Sequence, residues 1–426
     1  MRKVVCVSPE LLPQPLVPTV DYFTVYRASA VPKVSTVGTG LLRDMDLDGL
    51  SPSIASWDFL TFALAVSAAD QAVHRDGTAD GWTRMIELEV ALCNPQPFQR
   101  IANTLTGMLR MLTGDFWTLS FVSGGEPAPR STASKRFDAD CVSLLSGGVD
   151  SLVGAIDLST NGRKPLYVSQ MAKGDSETQV SYARRLGGDA RHFQWNHNIR
   201  VAHVTERSTR ARSIVFFAFA ALAANELSNQ LVRTIELFVP ENGFISLNVP
   251  LNAGRAGSLS TKTTHPVFLT QLQGVLNSLA IPARLERPYA FKTKGELIRD
   301  CLDQRLLTEL ISKSTSCGRF GYYNYTHCGR CVPCLVRRAS FISGGLRDST
   351  QKPYKFWNLQ ISGRRTGAND IGAVAAAVLK VETQGIRSFM GAQLSFASSI
   401  ERPTYERVVL RGIEELGVLL RQHAVL

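Results

Sequence analysis

A hexapeptide, Ser146-Gly147-Gly148-Val149-Asp150-Ser151, stands between a short apolar run at 141–145 and a stretch with helical spacing. No other feature of the 426 residues limits the possible folds as strongly. Two adjacent glycines let a backbone turn tightly and approach a ligand without Cβ clashes. A helix that opens directly after them points unpaired amides at the turn, which suits an anion such as a phosphate chain. Ser146 and Ser151 add hydroxyl donors. Asp150 is the anomaly: a carboxylate in a phosphate site needs its charge offset, as a magnesium ion carried by ATP would do. A plain strand-to-helix turn, with Asp150 at the favourable end of the helix dipole, is the simpler alternative. The complete strand, loop and helix context favours the nucleotide.

Around the loop the pattern alternates. Apolar runs at 166–170 and 235–239, and a weaker one at 283–286, are separated by helical stretches at 177–186, 208–227 and 266–279. This predicts an α/β unit whose parallel sheet is covered by helices on both faces. Such sheets bind ligands at the carboxyl ends of their strands, where strand order reverses. A small, polar stretch broken by two prolines, 123–135, reads as a linker. It divides the chain into units at 1–135, 136–350 and 351–426. The first reads as α+β, with strands at 19–25, 85–92 and 116–122, helices at 57–75 and 98–112, and no catalytic signature or internal repeat. The last reads as mostly helical (370–381 and 404–423), packing on the central unit through Val409, Ile413, Leu416 and Leu420.

Composition excludes several classes. The chain is 44% hydrophobic and 19% charged, which rules out wholesale disorder. Lys and Arg outnumber Asp and Glu 47 to 36, and the net charge of +11 suits anionic partners. Nucleic acid is compatible with that charge but not favoured by it. The longest unbroken apolar run, 214–224, is shorter than the ~18 residues of a membrane span. With no apolar segment and cleavage site at the start, the expectation is a soluble, cytoplasmic protein with no membrane partner.

Four of the eight cysteines, Cys317, Cys328, Cys331 and Cys334, fall within eighteen residues. Four thiolates with two-residue spacers suit a closed tetrahedral zinc site, structural because no coordination position stays open. An iron–sulfur cluster is the rival. His327, beside a ligand, could compete as a fourth donor but reads rather as a neighbour of the metal or a surface residue.

The hexapeptide resembles the PP-loop of the N-type ATP pyrophosphatases, in which the loop holds the pyrophosphate end of ATP while a substrate oxygen attacks the α-phosphate. Followed by the cysteine cluster, it resembles the QueC family, the 7-cyano-7-deazaguanine synthases, over 137–346. The resemblance implies a PP-loop (HUP/Rossmann-like) fold and the adenylation of a deazaguanine-type carboxylate with ATP, Mg²⁺ and Zn²⁺. The segment Arg212-Ser213-Ile214-Val215-Phe216-Phe217 is similar to the family's Arg-Asn-x-x-Phe-Leu, with Ser213 departing from Asn; Thr293-Lys294-Gly295-Glu296 is similar to its Thr-Lys-x-Glu. Ser146 to Ser151 are therefore expected to bind ATP, and Asp150, Lys294 and Arg212 to act in catalysis. Glu241, Asn242 and His265 are candidates for binding substrate, although Thr264-His265-Pro266 also reads as a helix start with Thr264 as its cap. Thr293 with Glu296, and Ser176 with Gln179, read as capping boxes. Lys173, Asp175 and Glu177 are placed to meet the adenosine or its metal; Arg207 and Arg210 read equally as a solvated face.

The family's Tyr-Pro-Asp-Cys-Arg segment is missing; Pro240 to Gly243 and Ser258 to Pro266 stand in its place. Extended proteins of this kind are similar to the QatC family of the Qat antiphage-defence system. That implies a protein partner from the same operon (QatB-like), whose amine could replace ammonia as acceptor. A PP-loop tRNA-modifying enzyme and a non-catalytic ATP-sensing subunit are the alternatives.

Overall fold

The computed structural model describes residues 1–131, 135–252, 262–360 and 369–426. Of the sequence features above, Thr132 to Ser134 and Ser258 to Thr261 lie outside the described residues. Ten strands form two five-stranded sheets among those residues, and every strand pairing within them is parallel.

The sheet expected from the alternating pattern comprises β6 (Cys141–Leu144), β7 (Pro165–Gln170), β8 (His192–Trp195), β9 (Ile235–Phe238) and β10 (Ala283–Glu286), in the order β10-β9-β6-β7-β8. Every residue of β6 and β7 is buried. Parallel strands covered on both faces read as continuous apolar runs, which is why these two were legible. The edge strand β8, His-Phe-Gln-Trp, has only two apolar residues and no such run.

The first unit, expected as α+β, carries a parallel sheet of its own: β1 (Arg2–Val7), β2 (Val20–Val25), β3 (Ser35–Val37), β4 (Met85–Leu92) and β5 (Phe116–Ser123). Their order is β3-β2-β1-β4-β5. The central strand β1 opens with Arg-Lys, which hides it in the sequence. Lys3 is accommodated by ion pairs to Glu87 (3.2 Å) and Glu89 (3.1 Å) on β4. Numbered within its own sheet, each unit has the strand order 3-2-1-4-5. No sequence repeat announces this shared topology.

Two helices, Ile54–Ala72 and Ser213–Leu231, pack against each other between the sheets. Flanking them, Ala102–Thr113 meets Pro266–Ser278. One hydrophobic core therefore runs from the first sheet to the second. Ser213–Leu231 is long and apolar enough to cross a membrane, yet most of it is enclosed by protein, as an interior helix requires. Helices Val149–Thr160 and Ser176–Arg185 cover the outer face of the second sheet. The C-terminal helices Ile371–Met390 and Arg402–Gln422 form a separate core with Val332–Ser343 and Gly243–Ser246, into which Val409, Ile413, Leu416 and Leu420 are buried.

In the first sheet, strand order reverses between β1 and β4, and the chain fills its own crevice there. Gly125 N donates to Leu92 O at 3.1 Å, Trp57 Nε1 to Glu126 O at 2.8 Å, and Ser8 Oγ to Gly124 O at 3.0 Å. A Cβ on Gly125 would lie 2.6 Å from the Leu92 carbonyl carbon, so only glycine fits.

A buried ionic group joins the two units. Arg84 pairs with Asp70 (2.5 Å) and Asp115 (2.6 Å), and Arg75 with Asp115 (2.9 Å). Asp70 Oδ2 also accepts from the backbone of Arg210 (2.5 Å) and Ala211 (2.6 Å), just ahead of the Ser213–Leu231 helix. Asp70→Ala removes one of the two carboxylates paired with the buried Arg84 and leaves two buried amides without their acceptor; a loss of about 3–5 kcal/mol in chemical denaturation is expected.

Candidate functional site

Strand order in the second sheet reverses between β6 and β9, and the loops leaving their carboxyl ends meet there. After β6 the chain makes the glycine turn, with Gly147 at φ +91°, a conformation that side chains disfavour. The Val149–Thr160 helix starts immediately after Gly148. Ser146 Oγ accepts from Gly148 N (3.3 Å) and donates to Ser151 Oγ (3.1 Å), which donates to Gly148 O (3.1 Å). The two hydroxyls brace the turn, and the first-turn amides of the helix face its mouth.

After β9, Asn242 caps the Gly243–Ser246 helix through Oδ1, which accepts from Ile245 N at 3.0 Å. Its backbone N (3.1 Å) and Nδ2 (2.5 Å) donate to Asp150 Oδ2. Lys294, the first residue of the Lys294–Arg299 helix, forms an ion pair with Asp150 Oδ1. The Glu241 side chain makes a further hydrogen bond to Asp150. Asp150 is only 5% exposed. Burial alone would raise its carboxyl; Lys294 and the hydrogen bonds outweigh burial and hold it below the usual range. The charge assigned in the sequence to a magnesium ion is thus offset within the chain by Lys294.

These groups border a cavity of about 430 Å³. Its wall includes Ser146, Gly148, Val149, Asp150, Ser151 and Lys294, with Glu241, Ser246, Thr263, Thr264, Thr315 and Ser316 opposite and beside them. Phe216, Phe217, Val239 and Pro240 supply its apolar part. Such a mix of apolar wall and few convergent polar groups is usual for a small-molecule site. A larger cavity, about 860 Å³, opens beside Met1, Met85 and Phe116 near the starts of β1, β4 and β5, away from this chemistry.

Four expected residues do not line the cavity: Gly147 forms the turn behind it, Asn242 is fully buried against Asp150 instead of facing a substrate, and Arg212 and His265 stand apart. Arg212 is exposed at the start of the Ser213–Leu231 helix, where its charge is felt by Asp175 and His197. His265, rather than Thr264, caps Pro266–Ser278: Nδ1 accepts from Val267 N at 3.2 Å, and the ring meets Phe396 edge-on at 5.0 Å. Burial, with Lys262 nearby, lowers its imidazole to about 4. Thr293 and Glu296 do form a capping box. Ser176 and Gln179 do not, because Asp175 occupies the cap position. Gln179 Nε2 instead donates to Ser146 O at 3.1 Å and to Gln170 O at 3.3 Å.

The four cysteines are buried, with their sulfurs all within 4.8 Å of one another. Sγ separations of 3.9 Å (Cys317–Cys331) and 3.8 Å (Cys328–Cys334) match the edges of a tetrahedron with ~2.3 Å metal–sulfur bonds. Amides of Arg319, Cys328, Arg330 and Cys331 point at the sulfurs over 3.3–3.5 Å. The group could hold a metal such as zinc, and the spacing leaves room for one ion. His327 is turned elsewhere: its Nε2 accepts from Ser316 N at 3.2 Å.

The cysteine segment adjoins the glycine turn, which spacing alone did not show. Thr315 N donates to Gly147 O at 3.1 Å, and a Cβ on Gly148 would meet Thr315 O at 3.5 Å. Tyr325 packs so closely on Gly174, in the loop after β7, that a Cβ there would sit 2.5 Å from its ring. Thr315 and Ser316 were missed as site residues; their only sequence signal is adjacency to Cys317.

No protein-family model matches the chain. Over 80 residues the chain is 31% identical to the 7-cyano-7-deazaguanine synthase of Methanocaldococcus jannaschii. The match covers 18% of this chain, and the chain spans only 33% of that relative's length. It supports a QueC-like reading at the level of family likeness.

Two outcomes are expected. The purified chain should carry about one zinc ion, and Cys334→Ala should lose it together with several kcal/mol of stability, by metal analysis and thermal unfolding. Between about pH 6.5 and 4, unfolded His265 takes a proton that the folded state refuses, so stability should fall as pH falls, by up to roughly 3 kcal/mol. His265→Asn, which keeps a capping oxygen, should flatten that slope in urea titrations at several pH values.

Proposed function

We propose that the chain is a QueC-like enzyme that adenylates a carboxylate with ATP, releases pyrophosphate and transfers the acyl group to an amine. The observation that carries this reading is the meeting of the glycine turn, the Asp150–Lys294 pair and Glu241 around one cavity at the strand-order reversal. The turn and the start of the Val149–Thr160 helix would bind the triphosphate through backbone amides. Lys294 would stabilise the charge that builds on phosphorus as the carboxylate oxygen attacks the α-phosphate and pyrophosphate leaves. An amine then attacks the acyl carbon, and AMP departs.

The substrate we assign is a deazaguanine-type carboxylate, chiefly on the resemblance; Glu241, Thr263 and Thr264 are among the polar groups in the wall that its edges would meet. Arg212, outside the cavity wall but with its charge felt by Asp175, would act at most on an anion entering or leaving. Magnesium would arrive with ATP. Both oxygens of Asp150 are engaged, whereas Asp175, which adjoins Gly147, has a buried Oδ1 without a hydrogen-bond partner and is the better placed carboxylate for such an ion. Zinc in the cysteine group would have a structural role, holding Thr315 and Ser316 against the turn.

The length of the chain and the segments replacing the family's substrate motif favour a QatC-type role in antiphage defence, with a QatB-like protein supplying the amine. A sulfur-transferring tRNA enzyme is less well supported. Cys141, the cysteine nearest the turn in sequence, is fully buried at the start of β6, and burial raises its thiol above the usual range.

Pyrophosphate release measured with ATP and 7-carboxy-7-deazaguanine, with and without operon partners, tests the reading. Asp150→Asn and Lys294→Ala should each lower kcat by about 10²–10³-fold. Release unaffected by Asp150→Asn would falsify the mechanism. A co-expressed partner should gain the mass of a deazaguanine amide, and lose it with the same variants.

A further inference from the structure

The last helix, Arg402–Gln422, lies outside the segment that resembles a known family, yet it grips the turn that carries Lys294. Thr293 Oγ1 accepts from Glu296 N at 3.1 Å and donates to Glu415 Oε1. The backbone of Gly295 also hydrogen-bonds to Glu415, and Ser343 Oγ donates to it at 3.4 Å. A Cβ at Gly295 would sit 2.5 Å from Glu415 Oε1, so the carboxyl lies directly against the backbone. One helical turn away, Arg411 holds Glu296 through Nε–Oε1 (2.6 Å) and Nη2–Oε2 (3.2 Å), and donates to Phe291 O at 2.9 Å. Thr293, Gly295 and Glu296 are thus fixed from one side, while Lys294 reaches Asp150 on the other.

The same helix seats the second partner of Asp150. Phe244 lies on Gly412, where a Cβ would come within 2.2 Å of its ring. Phe244 belongs to the short helix that Asn242 caps.

We infer that Glu415, assisted by Arg411, is a positioning residue that sets the Lys294 ammonium against Asp150 and the cavity. The inference rests on the proposed function only in taking Lys294 to act on the nucleotide. A side chain at the first position of a six-residue helix has little intrinsic rigidity. Clamping its neighbours from a 21-residue helix removes that freedom before substrate arrives.

Two readouts on the full-length chain test it. In the nucleotide-free protein, reductive methylation of Lys294, followed by mass spectrometry, should be several-fold faster in Glu415→Ala than in wild type and intermediate in Glu415→Gln. In pyrophosphate release, Glu415→Ala should lower kcat by roughly ten- to a hundredfold with KM for ATP unchanged. It should add no further loss in a Lys294→Ala background. Unchanged labelling with full kcat, or losses that simply add in the double variant, overturns the inference. Faster labelling in a protein whose wild type releases no pyrophosphate upholds the positioning and overturns the proposed function instead. Should Glu415→Ala not fold, Arg411→Gln, on a more exposed side chain, is read by the same two measurements.

Discussion

The site depends on one buried ion pair, Asp150 with Lys294. Taking two charges out of water costs several kcal/mol each, and their attraction recovers this only when the remaining hydrogen-bonding capacity is met. Asn242 and Glu241 meet it on the Asp150 side. That requirement draws together loops from three separate parts of the chain: the turn after β6, the segment after β9 and the helix start after β10. Loss of either charge leaves the other buried without its counter-charge.

The two sheets show how much a shared topology leaves undecided. Both reverse strand order at the same relative place. After β1 the chain continues into Ser8 and a short 3-10 helix, and the crevice is filled by Gly124, Gly125 and Glu126. After β6 two glycines and a twelve-residue helix take that place, and a cavity remains. The difference lies in the residues at the strand end, as expected where function is carried by a site grafted on a fold.

The supports of the open crevice come from distant sequence. The cysteine segment contributes Thr315, bonded to the glycine turn, and Tyr325, pressed on the loop after β7. The C-terminal helix contributes Glu415 and Arg411 behind Lys294. A four-cysteine group and a terminal helix, each readable as mere stabilisation, both end in contacts to the residues that border the cavity.

From the sequence alone, the strand–glycine–helix unit at 141–160, the four-cysteine group and the Thr293–Glu296 capping box could be recognised. Each is a local pattern whose physical cause lies within a few residues: a turn that needs glycine, thiolate spacing, a helix start whose amides need acceptors. Strands β1, β3 and β8 were hidden because charged, short or mixed segments become strands only through their neighbours, as Lys3 does through Glu87 and Glu89. The tertiary structure alone decided that His265 caps a helix instead of facing the cavity, that Lys294 pairs with Asp150, and that Glu415 stands behind Lys294. The last two depend on which side chains meet across more than a hundred residues of chain, and no local spacing encodes that.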